Sequence, residues 1–265
     1  MKTGATPFFV LLVISLVLGA CASSLRTLAF KKDATSQELL HLFAQREKAR
    51  QEMKAMVSFS IHPNQGASQA LNGILSFEPG DHVRFQGFDS FGRTVIDLTL
   101  LKNFYKISLG GDPPLRGNLE DRGDLSAKMG PGAAEKINWE FWLKMMNEFR
   151  YGGNPVLMED EMIFIEKGKD HFTGSVLKIK GKQAILLKKI WFERSFFYPV
   201  KEEIYEEMTG DYPLSGTIYF SDFNDKNNGS WPGRIQVKSK EGDLEVEFVE
   251  TNFSPSFLAD YFNLD

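Results

Sequence analysis

From Val57 onward, apolar and polar residues alternate in short runs, each closed by a turn, and this spacing admits one architecture. Val57, Phe59 and Ile61 alternate with Ser58, Ser60 and His62, the period of a half-buried strand. Pro63-Asn64-Gln65-Gly66 turns the chain, and Leu71, Leu75 and Phe77 mark a second strand. Val83 and Phe85 mark a third, residues 95–101 a fourth and residues 104–109 a fifth. The intervening turns, Pro79-Gly80-Asp81 and Asp89-Ser90-Phe91-Gly92-Arg93, leave no room for crossover helices, so a parallel sheet is excluded. The five strands read as an antiparallel meander.

A helix precedes them. Thr35 followed by Glu38 fits a capping box, and Leu39, Leu42, Phe43, Ala49, Met53 and Met56 recur at helical spacing to about residue 54. Residues 110–136 are rich in Gly and Pro and read as a long irregular stretch. They deliver a helix at about 138–149, where Trp139, Phe141, Trp142, Met145, Met146 and Phe149 leave little polar face, so it must be buried on several sides. Strands then resume at about 161–166, 172–180, 184–193, 199–207, 214–223, 233–239 and 243–251. Several, such as Met162-Ile163-Phe164-Ile165, are apolar on both faces, which suits a sheet wrapped around helices or a greasy cavity. Ser254 can cap a last short helix carrying Phe257, Leu258, Tyr261 and Phe262.

The first residues carry an address. Lys2 supplies a positive end, and residues 8–18 form an apolar run broken by one Ser, short for a bilayer span of about 20 residues. Leu18-Gly19-Ala20-Cys21 follows, ending in the only cysteine of the chain, and it resembles the lipobox of bacterial lipoproteins. That resemblance implies cleavage before Cys21, acylation of its thiol and of the new amine, and a stable membrane anchor of more than one chain. The alternative is an ordinary secretory signal with a chance cysteine, although a leftover thiol in an exported chain is unusual. Ala22, in place of Asp, implies delivery to the outer membrane by the same resemblance. The expected division is a signal peptide at 1–20, a lipidated tether at 21–34 and one domain at 35–265. The formal net charge of −4 and the lack of any Lys/Arg-dense block exclude a nucleic-acid footprint.

Reactive constellations are missing from the sequence. His41, His62, His82 and His171 are scattered outside any metal-spacing motif, and there is no phosphate loop, dinucleotide fingerprint or nucleophile elbow. The expectation is a non-enzymatic protein without a cofactor.

Three stretches resemble the LolA/LolB lipoprotein-localisation superfamily. The first runs from Gly73 to Leu100 as strand, Val83-Arg84-Phe85, then Ser90-Phe91-Gly92 and strand. The second is the aromatic segment from Trp139 to Phe149 before Gly152-Gly153. The third is Gly216-Thr217-Ile218-Tyr219-Phe220-Ser221-Asp222-Phe223 with Trp231-Pro232 and strands to Phe253. The chain departs from the LolB pattern by lacking Pro before Phe91 and by extra strand-like sequence at 160–212.

The resemblance implies an α+β fold, an unclosed antiparallel half-barrel with helices covering its concave face. It implies a periplasm-facing lipoprotein that accepts or inserts lipoproteins, or another amphiphile, at the outer membrane, with acyl chains and a periplasmic carrier protein as partners. Candidate cavity residues are Phe85, Trp139, Trp142, Met146, Phe164 and Trp191. Phe91 matches the protruding apolar residue of the LolB loop, and its turn of Asp, Ser and Gly points to the surface. The open alternatives are a filled core in place of a cavity, a Phe91 ring stapled back on Phe88, and an assembly role in the envelope without lipid.

Overall fold

The computed structural model describes residues 34–48, 52–64, 68–79, 82–110, 112–119, 143, 146, 153, 155, 157–206, 213–223, 231–253, 255–258 and 261–264. The expected capping box forms: the Thr35 N–H donates to Glu38 Oε2 at 2.7 Å, and the Glu38 N–H donates to Thr35 Oγ1 at 3.2 Å. It opens helix α1 (Ser36–Lys48), which buries Leu39 and Phe43.

Among the described residues, thirteen strands follow in one antiparallel sheet. They are β1 (Met53–Pro63), β2 (Gln69–Glu78), β3 (His82–Phe88), β4 (Thr94–Leu101), β5 (Phe104–Leu109), β6 (Leu115–Asn118), β7 (Glu161–Lys167), β8 (His171–Lys180), β9 (Gln183–Glu193), β10 (Pro199–Tyr205), β11 (Leu214–Ser221), β12 (Arg234–Ser239) and β13 (Gly242–Asn252). The spatial order is β6-β5-β4-β3-β2-β1-β13-β12-β11-β10-β9-β8-β7. Strands consecutive in the chain pair with one another, except β6 and β7, which stand at opposite edges, and β1 meets β13 to join the two runs. The sheet is unclosed, with β6 and β7 as its edges. The strand-like surplus at 160–212 forms β7 to β10.

Facing residues of paired strands share a face, so the registers define rows. One row runs Ala55–Leu75–Phe85–Leu98–Ile107, and every member is buried. Across the junction, Phe59 faces Val246, then Ile235, then Phe220, all buried. These rows form the core face, onto which Leu143 and Met146 also pack. At the far end Phe43 of α1 meets Phe192 of β9 with ring centroids 4.5 Å apart.

The opposite face carries the C-terminal tail. Arg84 grips Asp97 through two bonds, Nε to Oδ1 at 2.9 Å and Nη2 to Oδ2 at 2.6 Å, and donates a third to the Tyr261 carbonyl at 2.9 Å. Phe262 stacks on His82 with centroids 5.5 Å apart.

Four expectations are corrected. The helix ends at Lys48, and Met53 and Met56 belong to β1, because the two-residue alternation starts earlier: Met53 and Ala55 are buried between exposed Lys54 and Met56. The Gly- and Pro-rich stretch holds a strand, β6, so the first run has six strands. The C-terminal helix does not form at the described positions: 255–258 are irregular and 261–262 are a turn. There the apolar spacing serves an aromatic cluster of Phe257, Tyr261 and Phe262 instead. Finally, the second apolar face of β7 is not enclosed. Met162 and Phe164 are exposed, as an edge strand has a neighbour on one side only.

Candidate functional site

The turn between β3 and β4 is built by one carboxylate. Asp89 Oδ1 accepts the N–H groups of Phe91 and Arg93, both at 2.9 Å, and Oδ2 accepts Arg93 Nε at 2.7 Å. The Asp89 carbonyl takes the Gly92 N–H at 3.0 Å, and Gly92 supplies the left-handed conformation, φ 76°, that the turn requires. At its tip the Phe91 ring is 83% exposed, with the Arg93 guanidinium 5.6 Å from the ring centroid. The ring is therefore not stapled back on Phe88. An ordered backbone holds a large apolar side chain out in solvent.

The Arg93 N–H, with its guanidinium and the Phe91 N–H, holds the Asp89 carboxyl below its ordinary value. A depressed pKa means that the turn contacts are complete above the ordinary carboxylate pKa of about 3.9 and are lost as pH falls through the lower value. The amide resonances of Phe91 and Arg93 are therefore expected to stay fixed from about pH 8 to pH 5 and to move only below about pH 4. Movement centred above pH 5 would contradict this account of the turn.

The other sequence-derived candidates separate by face. Phe85 lies in the core face, its ring 4.3 Å from that of Phe59, and Met146 is buried against the same core. Phe164 and Trp191 point the other way: Phe164 is exposed, and Trp191 lies under the Lys201 ammonium at 4.5 Å, between inward-facing Ile190 and Phe192. Cys21, Trp139 and Trp142 lie outside the described residues.

One feature of the core face escaped the sequence reading. Lys188 of β9 and Glu202 of β10 form an ion pair, Nζ to Oε1 at 3.2 Å, with both side chains largely buried. Nothing in either local sequence signals it, because both positions sit among polar-looking Lys-Lys and Glu-Glu neighbours. Among the described residues, no three His, Cys, Asp or Glu side chains come together as a metal site. No helix of the described residues is long and apolar enough to cross a membrane.

The sheet, antiparallel throughout and unclosed, is similar in fold to solved structures that include a LolA superfamily protein. A LolA superfamily protein from Nitrosomonas europaea superposes with a TM-score of 0.55 at 13% identity, covering 87% of this chain and 98% of that one. A domain described as an outer membrane lipoprotein-sorting protein from Vibrio parahaemolyticus gives 0.53 at 13% identity, covering 84% and 95%. A DUF1329 family protein from Desulfovibrio piger gives 0.54 at 11% identity, covering 86% and 95%. No family model matches the sequence, and no curated protein does. The likeness is thus one of fold.

Proposed function

We propose that this chain is a lipid-anchored protein of the cell envelope that binds acyl chains and inserts acylated cargo, lipoproteins or another amphiphile, into the outer membrane from the periplasmic side. It does so without catalysis or a cofactor. The observation that carries the reading is Phe91, held 83% exposed on a turn that Asp89 makes rigid. Burying such a ring in an apolar phase gains roughly 1.5–3 kcal/mol, so it favours contact with a bilayer.

In this reading acyl chains lie on the core face. Phe85 forms the floor, and the aromatic segment of Trp139, Trp142 and Met146 lies over the chains. Phe164 and Trp191, being on the opposite face, take no part. A periplasmic carrier protein hands over the cargo, and Cys21 supplies the anchor. The shared fold with the LolA superfamily protein and the lipoprotein-sorting domain supports this assignment.

The anchor is tested by Cys21→Ser. This variant is expected to stop palmitate labelling and leave the precursor uncleaved; unchanged labelling would contradict it. Carriage is tested by uptake of a fluorescent fatty acid, which the wild-type protein should take up saturably and release to liposomes.

A further inference from the structure

We propose that a pocket on the face opposite the core, between β3, β4, β5 and the C-terminal tail, binds a phosphodiester group. The site lies away from the acyl-binding face and does not depend on that reading.

The pocket encloses about 260 Å³, far more than the roughly 10–15 Å³ that one water needs. Thr99, Lys106 and Ser108 line it from β4 and β5, Arg84 and Asp97 from β3 and β4, and Tyr261 and Asn263 from the tail. One row of this face runs Lys54–Ser76–Arg84–Thr99–Lys106–Arg116, from β1 to β6. Its charged members are all basic, and the other two carry hydroxyls. Lys106 stands directly opposite Arg116, a like-charge pairing that costs stability and that a bound anion would relieve.

Arg84 and Asp97 are committed to one another and to the tail. The guanidinium bonds both carboxylate oxygens and the Tyr261 carbonyl, with the Tyr261 ring centroid 4.8 Å away. The Tyr261 hydroxyl lies 3.0 Å from Ser76 Oγ, which fixes the tail as a wall. This pair carries no net charge, so the charge of Lys106 is the surplus of the lining.

The hydroxyls supply the second requirement. Thr99 is only 4% exposed, yet among the described residues neither its hydroxyl nor that of Ser108 makes a hydrogen bond. Buried hydroxyls are normally bonded. Thr99 and Lys106 are cross-strand partners, with Cβ atoms about 5 Å apart, and Ser108 stands two residues along β5, about 7 Å from Lys106. An ammonium carries three N–H donors, so Lys106 can serve a ligand beside a protein partner. Two hydroxyls and an ammonium in such a triangle can donate to three oxygens of one tetrahedral group, where a carboxylate offers only two. The single surplus charge matches a phosphodiester with its one negative charge. A phosphomonoester carries about −1.5 to −2 at pH 7 and would overcompensate it.

The diester is either a soluble molecule or the headgroup of a phospholipid, and one experiment separates them. The full chain, held in a nonionic amphipathic polymer, is titrated calorimetrically with glycerophosphoglycerol, glycerol 3-phosphate and glycerol. Wild type should bind the diester at one site, more tightly than the monoester, and should not bind glycerol. The double variant Thr99→Val, Ser108→Ala removes both hydroxyls with little change of shape and should weaken diester binding at least about tenfold. Its urea midpoint should match wild type; should it fall, Lys106→Gln is expected to give the same loss. Dihexanoylphosphatidylglycerol is then titrated into wild type and variant. The same fold-loss for this lipid supports the site with a headgroup as its occupant, and a loss confined to glycerophosphoglycerol supports it with a soluble diester. No diester binding by wild type overturns the proposal without recourse to a variant. Tighter binding of the monoester, or diester binding undiminished in the variants, also overturns it.

Discussion

Phe85→Ala is expected to lower the unfolding free energy by about 3–5 kcal/mol, a large part of the 5–15 kcal/mol typical of a folded domain. The ring is fully buried at the centre of a row that spans five strands, against Phe59 on one side. Beneath it lies Gly73, where a Cβ would stand 2.4 Å from Phe85 Cε2 and 2.6 Å from the Gln86 carbonyl oxygen. Gly73→Ala should therefore destabilise too, by about 1–3 kcal/mol, since the backbone contact cannot yield cheaply. The two losses are not additive. In the double variant the ring is gone and the new methyl enters its space, so the combined loss should fall short of the sum. Urea unfolding of the four proteins measures all three quantities. A Phe85→Ala loss below about 1 kcal/mol would mean that the ring borders open space rather than packing into the floor.

Phe91→Glu should do the reverse, leaving stability nearly unchanged and slowing delivery. Residue 91 is exposed and its ring meets only the solvent-facing Arg93 guanidinium among the contacts described, so the change in stability should stay within about 0.5 kcal/mol. The Asp89 bonds to the Phe91 and Arg93 N–H groups involve only backbone at residue 91, so the turn persists in the variant. Binding of a fluorescent fatty acid should match wild type. Transfer to liposomes should fall roughly ten- to hundredfold, the equivalent of losing about 1.5–3 kcal/mol of ring burial in the bilayer. Phe91→Leu should retain most of the transfer. A variant that unfolds, or one that delivers as fast as wild type, would remove Phe91 from the insertion step.

Alternation makes the strands legible in the sequence, and the turn of Asp89, Ser90 and Gly92 announces itself by residue type. What stayed hidden depended on partners far along the chain. β6 is short and Gly-containing, and its place comes from Tyr105, whose hydroxyl would lie 2.4 Å from a Cβ at Gly117, the residue it faces. The tail read as a helix because Phe257, Tyr261 and Phe262 fit a short helical spacing. Their aromatic contacts and the Arg84 bond to the Tyr261 carbonyl prevail over that weak local preference. Met162 and Phe164 show why two apolar faces do not imply two buried ones: the pattern says nothing of whether a strand lies at an edge. Lys188 and Glu202 meet only through the pairing of β9 with β10, which shifts register near Pro199. No local pattern encodes that meeting.

The central claim is that the core face holds acyl chains, and the most direct measurement is the lipid that comes with the protein. The full chain is purified from its membrane into an amphipathic polymer, washed, and extracted into organic solvent for mass spectrometry. A covalent anchor on Cys21 stays with the protein, so the extract reports only what is held non-covalently. The account predicts acylated species in molar proportion to the protein and displaced by an added fatty acid. An extract without acyl lipid beyond the level of an unrelated lipoprotein treated alike, together with no uptake of added lipid, would contradict it.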